Sequence, residues 1–470
     1  MDIKRTKIIC SIGPATEEVD TLVKLIDAGM NVVRLNFSHG SYEEYTRIKD
    51  NLEKARKKTK KYIGLLYDTK GPDFRLGEIE NGSIDLQEGE TIKLLVKGKI
   101  GSKEGLVVNY SNVVKKLEKG DKVLFDDGLI VTEVIKKSHD GVILCVLSGG
   151  TLLSHKGVAV PGVDLDIDFL SKQDKEDIKF ACENDGDFIA LSFVSCKEDV
   201  LKVRKIIEEN NSSMQIISKI ESQNAVKNLD EIIEVSDGIM VARGDLGVEF
   251  PVEKLPIIQK MIIQRCREQG KTCIVATEML ASMATSPRPT RAEVSDIANA
   301  VLDGCDAVML SGETTVGKHP VEAVKYMSNS CREAEDYYDY DFEFEYDHDK
   351  AITAAIAKAV IAAIDEVNAK AVVVPTMGGH SARVISNLKP EPIIIATCTK
   401  EKVARALSLS FGVVPYVVDF IDDFNDLIKV SKKVSKAALD LQEGDVIIVT
   451  GGIHSKREPN QTNFLKIEEI

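Results

Sequence analysis

The fold is decided by a repeated unit that is clearest in QIISKIE, residues 215–221, and GIMVARGD, residues 238–245. Each is a short apolar stretch that ends in charged residues, and amphipathic stretches such as Glu17 to Ala28 lie between such units. Alternating strands and helices predict a parallel sheet. Eight units of this kind predict a closed (β/α)₈ barrel, the TIM-barrel fold of the α/β class. The other six units are KIICSIG (7–13), NVVRLNFS (31–38), YIGLLYDT (62–69), FIALSFV (188–194), TCIVATE (272–278) and AVMLSGE (307–313).

The third and fourth units are separated by a long insertion, residues 71–163. Segments such as SIDLQEGETIKLLV, residues 83–96, alternate polar and apolar residues around glycine and Asp-Gly turns. This pattern is typical of antiparallel strands. We expect a small antiparallel β-barrel domain inserted as a lid, with the catalytic barrel formed by residues 1–70 and 164–340.

The βα pattern resumes beyond the barrel, with apolar runs in AVVVPT (371–376), PIIIAT (392–397), VVPYVV (413–418) and DVIIVTG (445–451). This pattern therefore predicts a third, C-terminal α/β domain formed by residues 341–470. An acidic and aromatic run, residues 333–349, is interpreted as a connection rather than a core element. Several domains agree with a length of 470 residues, which is too long for one compact core.

Composition limits the partners. The formal net charge of −14 opposes binding to nucleic acid or to anionic membranes, because both are polyanions that attract clustered Lys and Arg. The first apolar stretch stops at Gly13 and Pro14, too early for a secretory signal or a membrane span. The nine cysteines include no Cys-x-x-Cys pair, as expected of reduced thiols in a cytoplasmic protein.

Polar residues close the predicted strands, and those singled out here belong to seven of the eight. In a barrel of this class the active site lies at the C-terminal ends of the strands, so these residues should form one constellation. An alternative, ordinary loop residues that happen to follow strands, explains two or three of them but not the whole set. They are Arg34, Asn36, Ser38, Asp68, Thr69, Ser192, Lys219, Glu221, Arg243, Asp245, Thr277, Glu278, Ser311 and Glu313.

Lys219 and Glu221 are the most informative pair. They lie two residues apart on a strand, so their side chains project to the same face. Asp245 closes the next strand and adds a second carboxylate. Two carboxylates with few other protein ligands suit Mg²⁺ or Mn²⁺, which keep waters and accept substrate oxygens. The alternative is a simple salt bridge of Lys219 and Glu221 inside the barrel.

A series of motifs then resembles the pyruvate kinase family over essentially the whole chain. The resemblance implies the barrel, a mobile lid, a C-terminal regulatory domain and a homotetramer. It also implies phosphoryl transfer between phosphoenolpyruvate and ADP, giving pyruvate and ATP. The motifs are TKIICSIGPAT (6–16), GMNVVRLNFSHG (29–40), YDTKGP (67–72), IISKIES (216–222), SDGIMVARGDLGVE (236–249), SPRPTRAEVSDIANAVLDGCDAVMLSGET (286–314) and QTN (461–463).

The resemblance also implies roles for single residues. Glu221 and Asp245 would hold the divalent metal, and Lys219 would lie over the transferring phosphoryl group. Thr277, Ser311 and a water relay stay open as proton donors to the enolate. The resemblance further implies three sets of binding residues. Phosphoenolpyruvate would be bound by Arg34, Gly244, Asp245 and Thr277, and the nucleotide by Asn36, Phe37, Ser38, His39, Arg75 and Lys156. The ligands of K⁺ would be Asn36, Ser38, Asp68 and Thr69.

Three residues depart from the family pattern. Asp73 stands where the family commonly has Glu, and members with Lys there tend not to need potassium, so we expect K⁺ dependence. Glu278 stands where Gln is frequent, and this change has no explanation in the sequence. Gln461 replaces the usual glycine in a terminal loop that borders the effector site in many members, which puts regulation in question.

The loop TMGGHSAR, residues 376–383, follows an apolar strand and leads into a helix, so its hydroxyls and backbone amides favour phosphate binding. Similar loops in the family bind a sugar phosphate such as fructose 1,6-bisphosphate. We hypothesise an activator site at Thr376, His380, Ser381 and Arg383. The alternative is a purely structural turn.

Two other functions fit part of the pattern. A metal-dependent aldolase or lyase acting on oxo-acids would also stabilise an enolate beside a Glu and Asp pair, but the lid and Arg75 oppose it. A metabolite-sensing protein centred on the C-terminal domain would not need a complete set of strand-end residues.

Overall fold

The computed structural model describes residues 3–163, 167–340, 351–452 and 461–470. Eight parallel strands form a closed barrel in which each strand pairs with the next and β8 pairs with β1. The predicted (β/α)₈ barrel is thereby confirmed. Its strands are β1 (Lys7–Ser11), β2 (Val32–Asn36), β3 (Gly64–Asp68), β4 (Phe188–Leu191), β5 (Gln215–Ile220), β6 (Gly238–Ala242), β7 (Thr272–Ala276) and β8 (Ala307–Leu310).

The barrel strands are buried on both faces, as their β-branched sequences require. Neighbouring residues point to opposite sides: Ile9 belongs to the inner cluster with Leu66 and Met240, whereas Ile8 packs outward against the helices. Helices cover the outside of the barrel. They are Val19–Ala28, Tyr42–Thr59, Lys172–Glu183, Lys197–Glu209, Gln223–Lys227, Leu229–Val235, Arg243–Glu249, Leu255–Glu268, Arg291–Leu302, Gly312–Thr315 and Pro320–Glu335.

The insertion consists mainly of short antiparallel strands around its own apolar cluster. One six-stranded sheet and two pairs of strands account for it, and the helix Ser111–Lys116 packs against the sheet. In spatial order the sheet contains Val158–Ala159, Lys122–Phe125, Ile130–Ser138, Gly141–Ser148, Thr91–Leu95 and Leu106–Val107; the pairs are Ser83–Leu86 with Gly150–Leu153 and Glu78–Ile79 with Ile100–Gly101.

The C-terminal region is a five-stranded sheet flanked by helices. Four strands were predicted from their apolar runs, but the last one was not, and it runs antiparallel at the edge. The strands are β9 (Ala371–Pro375), β10 (Ile393–Cys398), β11 (Val413–Val417), β12 (Val446–Gly451) and β13 (Phe464–Glu469), and the helices are Ala351–Val367, His380–Asn387, Glu401–Ala406 and Phe424–Leu439.

The interpretation of residues 333–349 as a connection was wrong at its beginning. Residues 333–335 complete the helix Pro320–Glu335, and Glu335 is buried. Its carboxylate accepts hydrogen bonds from the backbone N–H groups of Arg5 and Thr6, at 2.9 and 2.7 Å. The acidic side chain therefore fixes the entry to β1, and residues 341–349 lie outside the described part of the chain.

The C-terminal region closes the lower end of the barrel. Leu409 is 2% exposed and belongs to the same apolar cluster as the inner barrel side chains. Two buried ion pairs also link the C-terminal region to the barrel: Arg405 Nε lies 3.1 Å from Asp187, and Lys389 pairs with Asp306. Apolar contact and buried charge thus join the two regions.

Within the described residues, no helix combines the length and the apolar character needed to cross a membrane.

Replacing Leu409 tests the barrel closure. Leu409→Ala should leave a cavity beneath the inner layer and lower the free energy of unfolding by about 2–5 kcal/mol, seen as a lower melting temperature. The matched control is Leu302→Ala, because that side chain is 44% exposed and its loss should cost no more than about 0.5 kcal/mol. Equal melting temperatures for the two variants would contradict the closure.

Candidate active site

Arg34 joins the C-terminal ends of three neighbouring barrel strands. From β2 its Nε donates to Asp68 Oδ2 at the end of β3, and its Nη1 donates to Ser11 Oγ at the end of β1, both at 2.7 Å. Burial alone would raise the pKa of Asp68, but the charges of Lys219 and Arg34 prevail and lower it. Asp68 is therefore an anion that ties neighbouring strands together.

Lys219 is the central cation. Its Nζ lies 2.8 Å from Glu221 Oε1 and 3.5 Å from Asp68 Oδ1, and it donates to Ser192 Oγ at 2.8 Å. Burial would lower the pKa of Lys219, but Asp68, Glu221 and Asp245 outweigh it and raise the pKa above its ordinary value. Lys219 is thus a fixed ammonium, and the predicted salt bridge with Glu221 exists inside a larger cluster.

Glu221 and Asp245 form a pair of buried carboxyl groups. Burial raises the pKa of Glu221 to about 7, with Lys219 opposing the shift and Asp245 adding to it. Burial raises the pKa of Asp245 as well. Two neighbouring carboxyl groups that resist ionising together are a suitable donor set for a divalent cation. The described residues contain no cluster of three or more His, Cys, Asp or Glu suited to a metal, so an ion here would need backbone, water or substrate ligands.

The end of β7 carries a strained backbone. Thr277 and Glu278 have φ of 66° and 56°, a left-handed conformation that non-glycine residues rarely adopt. Arg243 holds it by donating from Nη2 to the Thr277 carbonyl at 2.6 Å, while its Nη1 binds Asp296 at 2.6 Å. In this conformation Thr277 Oγ1 accepts the N–H of Gly244 at 2.8 Å. The predicted neighbours Gly244 and Thr277 are therefore in direct contact.

A cleft of about 380 Å³ lies between the insertion and the barrel mouth. The barrel contributes Glu221 and Asp245, and the insertion contributes Arg75 and Lys156. The fold therefore brings two of the residues predicted for the nucleotide to the carboxylates predicted for the metal.

The residues predicted after β2 and β3 are also neighbours. Asn36 and Asp68 are paired in register, and Asn36 Oδ1 accepts the N–H of Ser38 at 3.1 Å. The ring of Phe37 stacks on Tyr67 with centroids 5.4 Å apart, so this side chain belongs to the wall of the barrel. His39 follows at the start of the next loop, and Thr69 Oγ1 accepts the N–H of Ser192 at 3.2 Å.

Ser311 follows β8 and precedes a single helical turn, Gly312–Thr315. Its N–H donates to Glu313 at 2.8 Å, and the same carboxylate accepts the N–H of Leu280 at 3.1 Å. Glu313 therefore fixes the loops after β7 and β8, the two places where proton donors were predicted.

The activator loop lies at the C-terminal end of β9. Thr376 Oγ1 accepts the N–H of Gly379 at 3.0 Å, and Ser381 Oγ is 2.9 Å from Thr462 Oγ1. Arg383 Nη2 donates back to a carbonyl of the loop at 3.3 Å. The four predicted residues, Thr376, His380, Ser381 and Arg383, are thus grouped within one loop and the first turn of the following helix.

Asp126 and Asp127, which line the cleft from the insertion, were not predicted as site residues from the sequence. They occupy an Asp-Asp-Gly turn with φ of 51° and 53°. The only signal in the sequence is that of a hairpin turn. Its position over the barrel mouth follows from tertiary contacts alone.

Fold and site define a (β/α)₈-barrel protein with a fixed ammonium beside paired carboxyl groups at the C-terminal ends of its strands, the class of arrangement found in barrel enzymes. A family model described as pyruvate kinase, barrel domain, matches residues 3–324, and one described as pyruvate kinase, alpha/beta domain, matches residues 354–468. The chain belongs to the pyruvate kinase family.

Comparisons with individual proteins support the same family assignment. The chain is 41% identical to a pyruvate kinase of Geobacillus stearothermophilus and 43% identical to one of Bacillus licheniformis, in each case over 99% of this chain and 80% of the relative. The crystal structure of a pyruvate kinase from Cryptosporidium parvum is similar with a TM-score of 0.94 and 39% identity, covering 99% of this chain and 96% of that one. The chain is therefore a phosphotransferase that converts phosphoenolpyruvate and ADP to pyruvate and ATP, and the aldolase, lyase and sensor alternatives are set aside.

The raised pKa of Glu221 predicts how stability changes with pH. The folded protein binds this proton more tightly than the unfolded chain, so the metal-free protein should lose stability as pH rises from about 4.5 to about 7. Glu221→Gln should reduce this loss by on the order of 2–3 kcal/mol. This pH dependence is measured from melting temperatures between pH 5 and 8 in the presence of a chelator. The control is Glu88→Gln, at an exposed turn. Parallel curves for the two variants would show that Glu221 has no such role.

Proposed function

We propose that Lys219 neutralises the phosphoryl group during its transfer from phosphoenolpyruvate to ADP. This role is supported by the position of the buried ammonium, which is held by Glu221, Asp68 and Ser192. Phosphoryl transfer requires mainly positioning and charge neutralisation. A cation that is already oriented gives both without reorganisation in the transition state.

Enzymes of this family need metal ions, and we assign the divalent ion, Mg²⁺ or Mn²⁺, to Glu221 and Asp245. Burial raises the pKa of both carboxyl groups, which supports this assignment, because a dication would offset the cost of burying their negative charges. When bound, the ion would supply positive charge to the carboxylate, enol and phosphoryl oxygens of the substrate.

For phosphoenolpyruvate, Arg34 would contact the phosphate. It uses two of its five N–H donors on Asp68 and Ser11, which leaves others for a ligand. The substrate carboxylate would bind at the start of the helix Arg243–Glu249, through Gly244 and Asp245 together with Thr277. The enolate would receive its proton from Thr277, Ser311 or a water.

For ADP, Arg75 and Lys156 would bind the phosphates from the insertion. Asn36, Phe37, Ser38 and His39 would bind from the barrel, with Phe37 acting through its backbone because its ring is packed in the wall. Residues 71–163 would then act as the lid over a catalytic barrel of residues 1–70 and 164–340.

Lys219→Met tests the assignment of the phosphoryl transfer. The variant should lose phosphoryl transfer by at least about 10³-fold, because an electrostatic contact of the transition state is removed. Enolisation of pyruvate, followed as exchange of its methyl protons with D₂O, should be partly retained. Lys172→Met, at a 93% exposed lysine, is the control and should change neither reaction. An equal loss of both reactions would contradict the role of Lys219.

We assign K⁺ to Asn36, Ser38, Asp68 and Thr69. The register pairing of Asn36 with Asp68 and the lowered pKa of Asp68 support a cation at this strand end. The acidic residue Asp73 lies close by in sequence and pairs with Arg75. We also place the enzyme in the cytoplasm as a homotetramer.

Residues 341–470 would form the effector domain, with a sugar phosphate bound at Thr376, His380, Ser381 and Arg383. The guanidinium of Arg383 donates a hydrogen bond within the loop, and burial, which lowers its pKa, disfavours its charge; a phosphate bound beside it would offset that cost.

Titration of fructose 1,6-bisphosphate and other sugar phosphates against the phosphoenolpyruvate saturation curve tests the activator site. The half-saturating concentration should fall several-fold, and Arg383→Met should remove the effect without changing the maximal rate. The control is Lys433→Met on the helix Phe424–Leu439, which should respond as the unmodified enzyme does. If no sugar phosphate changes the half-saturating concentration of phosphoenolpyruvate, the proposed activator site is wrong.

A further inference from the structure

The cleft proposed for ADP is acidic. Among the described residues that line it, six are Asp or Glu and two are Arg or Lys. Both cations are already paired with carboxylates of the insertion: Arg75 with Asp73, and Lys156 Nζ with Asp126 Oδ1 at 2.8 Å. A nucleotide that carries several negative charges must therefore compete with carboxylates for these cations.

We propose that Asp126 is a built-in counterion that holds Lys156 in the nucleotide-free cleft and yields it to a phosphate of ADP. Asp126 thereby sets the affinity of the enzyme for the nucleotide. This inference rests on the proposed role of Lys156 in nucleotide binding.

The backbone fixes the position of Asp126 relative to Lys156. The N–H of Asp126 donates to the carbonyl of Gly157 at 3.0 Å, next to Lys156 in the chain. The preceding residue, Phe125, is paired in register with Val158. The left-handed φ of 51° at Asp126 places the turn at the end of this strand pair. The ion pair therefore joins two segments that cannot drift apart.

The exposure of the two partners also favours a counterion. The carboxylate of Asp126 is 18% exposed, whereas the Lys156 side chain is 37% exposed. The lysine is the more accessible partner and has the longer, more flexible side chain, so it is the group that can leave the pair for a ligand. Asp126 stays with its turn.

This exchange discriminates ligands by charge. A terminal phosphate carries more negative charge than one carboxylate and offers three acceptor oxygens, so it can displace Asp126 from Lys156. A neutral or weakly charged ligand gains too little to do so. The pair therefore favours nucleoside diphosphates over adenosine.

Asp126→Asn is the decisive variant, because asparagine tolerates the left-handed backbone and removes only the charge. The KM for ADP should fall about two- to fivefold, in line with the strength of partly exposed ion pairs. The KM for phosphoenolpyruvate should stay constant. The KM for ADP should also become more sensitive to salt, a change that purely structural damage would not produce.

Asp140→Asn is the matched control. Asp140 forms a similar pair with Lys93 at 3.1 Å in the same sheet of the insertion, and neither residue lines the cleft. Its KM for ADP should equal that of the unmodified enzyme.

Lys156→Met, alone and combined with Asp126→Asn, separates the inference from the proposed function. Lys156→Met should raise the KM for ADP, and in its presence Asp126→Asn should no longer lower it. If Lys156→Met leaves the KM for ADP unchanged, the assignment of Lys156 to the nucleotide is wrong. A second outcome is also informative, in which Lys156→Met raises the KM for ADP while Asp126→Asn raises that KM or leaves it unchanged. In that case the counterion role of Asp126 is wrong, and the assignment of Lys156 to the nucleotide stands.

Discussion

The ammonium of Lys219 among Asp68, Glu221 and Asp245 is the interaction on which the site depends. Burying these charges is costly unless each is paired and hydrogen-bonded. The structure meets this condition: Arg34 binds Asp68, and the N–H of a loop after β4 binds Glu221. Three carboxyl groups face two cations, and burial raises the pKa of two of them, Glu221 and Asp245, so a further cation would favour their ionised forms.

The barrel holds this cluster in place, because its charged residues lie at the ends of neighbouring strands whose register is fixed by their pairing. Lys219 pairs in register with Met240 of β6, and Asp68 pairs with Asn36 of β2. Below the charges the interior is filled by apolar side chains, with Leu409 of the C-terminal region at the lower end. A packed interior prevents the strands from shifting, so the ammonium and carboxylates keep their spacing when substrate arrives.

The sequence predicted those features that depend on local periodicity. Eight β-branched runs identified the barrel, and the two-residue spacing placed Lys219 beside Glu221. Features that depend on long-range contact could not be found in this way. The edge strand β13 reads FLKIEE, too polar for an apolar run, and its place comes from pairing with β12. Likewise Asp126 reads as a turn residue, and only the docking of the insertion brings it to the cleft.

The two lysines of the site illustrate different uses of an ion pair. Lys219 is 12% exposed and has three carboxyl groups and a hydroxyl around it, so its charge is held in one place. Lys156 is more exposed and pairs with Asp126 among the described residues, so under our proposal a ligand can replace that partner. A catalytic cation must not move between ground and transition state, because only preorganised charge lowers the barrier. A cation that binds a ligand must instead leave the carboxylate with which it pairs in the absence of ligand. The strength of that ion pair then sets how much negative charge the ligand needs in order to replace the carboxylate.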